Sequence, residues 1–94
     1  MIKKEDIVKG ALFEVVNKPH LKNGTELMVM GYDCDFFGGN GMLPPGTQLE
    51  IAEDGISHIA VRSAYSLRFK IIGEPTGAIF TTFWSFFRSR VKEI

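Results

Sequence analysis

Apolar and polar residues alternate along most of the chain, and the alternation breaks at segments bearing glycine or proline, as expected of half-buried strands separated by turns. Ala11-Leu12-Phe13-Glu14-Val15-Val16 reads as a strand and Glu26 to Tyr32 as another. Asn23-Gly24, just ahead of the second, is a strong turn pair for a hairpin, and Pro19 ends the first strand or holds it at an edge. Around Glu53-Asp54-Gly55 the side-chain pattern selects a register. A two-residue turn at Asp54-Gly55 would oppose Ile51 to His58 and Glu50 to Ile59, mixing polar with apolar. A three-residue loop with Gly55 in the left-handed position opposes Leu49 to Ile59 and Glu50 to His58. That register predicts Leu49, Ile51, Ile59 and Val61 inward and His58 outward beside a carboxylate. Tyr65 to Ile72 reads as a further strand burying Leu67, Phe69 and Ile71, with Arg68 and Lys70 on its other face.

The period changes after Glu74-Pro75-Thr76-Gly77, where Thr76 suits a helix N-cap. From Ala78 onward, at about 100° per residue, Ile79, Phe80, Phe83, Trp84, Phe86, Phe87, Val91 and Ile94 fall within an arc of roughly 160°. The spacing predicts an amphipathic C-terminal helix with an aromatic face of Phe80, Phe83, Trp84 and Phe87, and with Trp84 largely buried. Arg88, Arg90 and Lys92 near its end complement the helix dipole.

The segments Val8-Lys9-Gly10-Ala11-Leu12-Phe13-Glu14-Val15 and Leu43-Pro44-Pro45-Gly46-Thr47-Gln48-Leu49-Glu50-Ile51 resemble the openings of strands in SH3-like barrels. The expected fold is α+β and mainly β: a small, strongly bent antiparallel sheet or SH3-like partly open barrel of about five strands, followed by one C-terminal amphipathic helix. No repeat, low-complexity tract or linker interrupts the sequence, so residues 1–94 read as one domain. Leu-Pro-Pro-Gly-Thr also resembles a strand opening found late in ADP-ribosyltransferase domains. Those enzymes carry a catalytic Glu-x-Glu element upstream, where this chain has Phe37-Gly38-Gly39-Asn40-Gly41, so that activity is not expected.

Size limits the chemistry further. A chain of 94 residues buries roughly 60–65% of its unfolded surface around a single core, and an enzyme pocket would have to come out of that core. The charged start MIKKEDIVKG and the lone Cys34 are the pattern of a cytoplasmic chain. Its longest apolar-rich stretch, Ala78 to Phe87, is about half of the roughly 20 residues that span a membrane. Asp33, Cys34, Asp35, His20 and His58 match no paired-thiolate or EF-hand spacing, so no metal is expected, and none of the residues suggests a cofactor. Asp33 and Asp35 oppose thiolate formation at Cys34 and phosphate binding at Gly38-Gly39-Asn40-Gly41. No Ser is placed to relay to either His, and no catalytic residue is expected.

Net charge is zero but unevenly spread. Residues 25–60 hold six acids and no Lys or Arg, whereas residues 61–94 hold six bases and two acids. The leading expectation is a non-enzymatic interaction module, a regulator or inhibitor of the kind common on phages and mobile elements, binding a protein partner that offers a basic surface. Its contact loop is residues 33–41, with Phe36 and Phe37 as apolar anchors, Asp33 and Asp35 as steering charges, and Asn40 beside them. The aromatic helix face of Phe80, Phe83, Trp84 and Phe87 is a second candidate contact surface, the alternative being that it closes the core. Some sixteen residues between strands is long for a hairpin connection, and loops of that length are usually functional or disordered. A second reading is a nucleic-acid-binding small β-barrel using Arg62, Arg68 and Lys70 with Tyr65 stacking, against which the neutral net charge argues. A third is a small-ligand-binding or homo-oligomeric scaffold with a pocket between sheet and helix.

Replacing both Phe36 and Phe37 with Ser tests the contact loop: association weakens and the melting temperature is unchanged. A drop of about ten degrees, in line with lost core burial in a domain of this size, places them in the core instead.

Overall fold

Phe13, Val15, Leu49, Ile51, Leu67 and Phe69, the alternate apolar positions of three strands, are all buried in one core. A computed structural model describes residues 2–16, 27–31, 40–59 and 64–94 of the chain. Among these the strands are β1 (Leu12–Val15), β2 (Leu27–Gly31), β3 (Asn40–Leu43), β4 (Gln48–Ile51), β5 (Ser57–Ile59), β6 (Ala64–Ile71), β7 (Ile79–Phe83) and β8 (Val91–Glu93). One α-helix, α1 (Trp84–Arg90), stands between the last two, and a short 3-10 turn at Lys4–Asp6 precedes the first. All strands join a single sheet in the order β3-β2-β7-β6-β4-β1-β8, with β5 beside β6, and every pairing is antiparallel. The mainly β antiparallel sheet with one C-terminal helix matches the sequence expectation, with eight strands among the described residues rather than about five. No helix among these residues is long and apolar enough to cross a membrane.

One connection sets the curvature. Phe83 ends β7 and Val91 begins β8, with only the seven residues of α1 between them. The strand order separates β7 from β8 by β6, β4 and β1, four spacings or about 19 Å in a flat sheet. A seven-residue helix is about 10 Å long. The sheet must therefore curl until its β8 edge approaches the middle strand, and the helix lies in the concavity. Phe87 is fully buried there, its ring edge-on to Phe13 at 5.1 Å between centroids and stacked on Trp84 at 6.4 Å. Trp84, expected to be largely buried, is 8% exposed. Phe69 and Phe80 stack across β6 and β7 at 5.9 Å.

The helix is shorter than the spacing predicts. Ile79–Phe83 is a strand flanked by both β2 and β6, so Phe80 and Phe83 belong to β7 and only Trp84 and Phe87 of the expected aromatic face are helical. The run Ile-Phe-Thr-Thr-Phe is β-branched and aromatic throughout, and two neighbouring strands satisfy its backbone. Thr76 does accept a hydrogen bond from the Ala78 N–H (3.3 Å), the bond an N-cap makes, but the chain leaves that turn extended. At the far end, β8 takes over at Val91, which lies opposite Val15.

Pairing differs from the sequence reading in three further places. First, β1 pairs with β4 and β8 rather than β2, so Asn23-Gly24, itself outside the described residues, does not join hairpin partners. Second, β4 and β5 are not hairpin partners. Both pair with β6, end to end along its length: Ile51 opposes Phe69 while Ser57 opposes Ser66. Six residue steps on one side match three on the other, so residues between β4 and β5 bulge out of the ladder. Glu50 therefore faces Lys70, and His58 faces Tyr65. Gly55 does take the left-handed conformation (φ 77°), but as the crest of an excursion. Val61 lies outside the described residues. Third, Asn40 and Gly41 belong to β3, opposite Met30 and Val29, so the connection from β2 is residues 32–39, half the length expected.

The excursion is fastened to the N-terminal arm. The Gly55 N–H donates to the Ile7 carbonyl (2.7 Å), the Lys9 N–H donates to Asp54 Oδ1 (2.7 Å), and the Gly10 N–H donates to the Ile51 carbonyl (2.9 Å). These bonds hold Ile7, 1% exposed, against one end of the core.

Phe87→Ala removes the ring that joins helix to sheet and should cost about 3–5 kcal/mol in urea unfolding, with the emission of the single Trp84 moving to longer wavelength. A loss under about 1 kcal/mol would mean that α1 is not part of the cooperative core.

Candidate functional site

The residue excess between β4 and β5 opens a cleft on the side of the sheet away from the helix. Ser66 and Arg68 project from β6 on the face opposite Leu67 and Phe69. Thr81 lies directly across from Arg68 on β7, and Ser57 across from Ser66 on β5, so all four side chains share that face. Glu53, Asp54 and Gly55 form the rim. With His58 and Leu67 these residues line a cleft of ≈ 370 Å³, the scale of a small-ligand site.

Its polar groups are mostly engaged. Arg68 Nη1 donates to Glu53 Oε2 at 2.7 Å, the Ser66 hydroxyl donates to the Ser57 carbonyl at 3.4 Å, and Asp54 Oδ1 accepts from the Lys9 N–H. The Arg68–Glu53 pair is partly solvated, so it fixes the guanidinium more than it stabilises the fold. Thr81 differs. It is 2% exposed, and its Oγ1 has no hydrogen-bond partner among the described residues. A buried hydroxyl without a partner ordinarily costs about 1–3 kcal/mol, which makes it the least settled group in the cleft.

Of the residues selected from sequence, Asp33, Asp35, Phe36, Phe37 and Arg62 lie outside the described residues. Asn40 opens β3 opposite Met30. Tyr65, Arg68 and Lys70 lie on β6, but strand alternation puts Tyr65 on the opposite face from the two bases. Tyr65 packs on His58 (5.1 Å between centroids), and Lys4 Nζ lies 5.1 Å from the centre of its ring. Phe80, Trp84 and Phe87 are core residues, and Phe83 stands half-buried, edge-on to Phe86 at 5.5 Å. Among the described residues no three His, Cys, Asp or Glu converge as a metal site would require.

The sequence reading missed Ser57, Ser66 and Thr81. Ser66 passes for an ordinary solvent-facing strand position, and Thr81 falls on the polar side of the expected helix. Only the β5–β6 and β6–β7 pairings bring them together. Compared with protein-family models, curated proteins and solved structures, the chain matches none.

Thr81→Val keeps the shape of the side chain and removes the unpartnered hydroxyl. Stability in urea should stay level or rise by about 1 kcal/mol. A loss of that size would show that the hydroxyl has a partner within the fold.

Proposed function

We propose that the chain is a non-enzymatic interaction module, a regulator or inhibitor that binds a protein partner. The observation that carries this reading is the composition of the open sheet face. Leu12 on β1 and Ile94 just beyond β8 are cross-strand neighbours, joined by the Ile94 N–H donating to the Leu12 carbonyl, and both are well exposed (42% and 61%). Ile72, also exposed, stands apart from them at the end of β6, its N–H donating to the Gln48 carbonyl. Around them the charges oppose one another across the strands: Glu14 faces Lys92, with Oε2 and Nζ 3.9 Å apart, and Glu50 faces Lys70. Apolar side chains among balanced charges suit a protein surface, where burial supplies affinity and the charges set register.

A nucleic-acid surface needs positive charge in excess along the backbone track. On this face Lys92 and Lys70 stand opposite carboxylates and Arg68 is bonded to Glu53, while Tyr65 is turned away from them. The connection 32–39, with Asp33, Asp35, Phe36 and Phe37, joins the hairpin strands β2 and β3 and supplies the acidic and aromatic contact residues in the same proposal.

Pulldown of the tagged chain from native cells, with the mass of the complex measured, tests the proposal. The intact chain should retain one protein at fixed stoichiometry, and Leu12→Lys with Ile94→Lys should lose it without a change in melting temperature. Retention of nucleic acid instead, with affinity falling steeply as salt rises, would overturn the reading.

A further inference from the structure

The geometry points to a second site: the cleft over the interrupted strand binds the ammonium group of a primary amine. Three observations converge on that class. The described residues that line the cleft carry two carboxylates, Glu53 and Asp54, against one guanidinium, so they favour a cation over an anion. The bonds from Arg68 and Lys9 each engage a single oxygen of these carboxylates, Glu53 Oε2 and Asp54 Oδ1. Thr81, in the same lining and on the same face as Ser66 and Arg68, has a buried Oγ1 with no hydrogen-bond partner among the described residues.

The donor and acceptor balance selects the ligand chemistry. An ammonium group brings three donors and no acceptor. Thr81 Oγ1 and the Ser66 hydroxyl, whose proton is already given to the Ser57 carbonyl, offer lone pairs, and the rim carboxylates offer charge-assisted acceptors. A carboxylate or phosphate would meet Glu53 and Asp54 as like charges. A neutral alcohol would reach the same hydroxyls without the charge. The ammonium group can come from a free alkylamine or from a lysine side chain of a protein, and the cleft volume accommodates either.

The site is independent of the open face around Leu12 and Ile94, so the two proposals fail separately. The test is a titration of the ¹⁵N-labelled chain at constant ionic strength with butylamine hydrochloride, with Nα-acetyl-lysine N-methylamide, and with 1-butanol and sodium acetate as controls. Both amines should produce saturable shifts of the Ser57, Ser66, Arg68 and Thr81 amides, and neither control should. Tighter binding of the blocked lysine would assign the site to a protein side chain, and tighter binding of butylamine to a free amine. Thr81→Val should weaken amine binding about tenfold, as expected for loss of one hydrogen bond to a charged group, and Thr81→Ser should restore it. Asp54→Asn should weaken it similarly with an unchanged melting temperature, because the amide oxygen still accepts from the Lys9 N–H. No saturation with either amine, equal shifts with 1-butanol, or unchanged affinity in Thr81→Val would overturn the assignment.

Discussion

The short passage from β7 to β8 is the constraint on which the rest of the fold depends. A helix about 10 Å long cannot join strands four spacings apart on a flat sheet, so the sheet curls and α1 fills the inside of the curve. The burial of Phe87 against Phe13 and Trp84 follows from that geometry: the same seven residues close the chain path and supply the inner aromatic layer. β7 itself sits between β2 and β6, and so bonds the β2–β3 hairpin to the remainder of the sheet. Segment 79–93 thus supplies an inner strand, the helix that covers the core and an edge strand.

Curvature of this kind has to be relieved somewhere on the convex side. β6 is the longest strand, with eight residues, and its partner is divided into β4 and β5 with extra residues between them. Bulges increase twist and bend a strand locally, so the interruption belongs at a bend in a sheet wrapped around a small core. The excursion is also a point of attachment. Gly55 and Asp54 bond the backbone around Ile7 and Lys9, bringing the N-terminal arm over the end of the core.

Local signals in the sequence located most strands and misread their partners. Alternation finds β1, β2 and β6 to within a residue, and in β1 and β6 the buried Phe13, Val15, Leu67 and Phe69 mark the face it reads. It fails at residues 79–83, where Phe80, Thr81 and Thr82 are all buried. A strand covered on both faces has no alternation to read, and its aromatics also fit a helical period when continued through Trp84 and Phe87. Asp54-Gly55 misleads for a different reason. Its left-handed glycine is the local signature of a tight hairpin, and it also serves a bulge, so the choice rests on which strand β6 meets. Ser66 and Thr81 are invisible as site residues for that same reason, being distant in sequence and adjacent only in the final register. The positions of Trp84 and Leu67 in the core were legible, since their burial needs only a local pattern.

That register answers an argument from size against any binding site in so small a domain. A pocket cut from the core of a 94-residue chain would sacrifice apolar burial that the fold needs. The cleft here takes nothing from the inner face, where Leu67 and Phe69 remain packed. It is made on the outer side of β6 and β7 from residues the ladder leaves over, and it buries only two polar side chains, Ser66 and Thr81, among its described lining. The unmet hydrogen bond of Thr81 is then a local cost, borne by a strand held on both sides by β2 and β6. The core and the cleft thus occupy the two faces of one sheet, so substitutions in the cleft leave the aromatic layer around Phe87 to hold the fold.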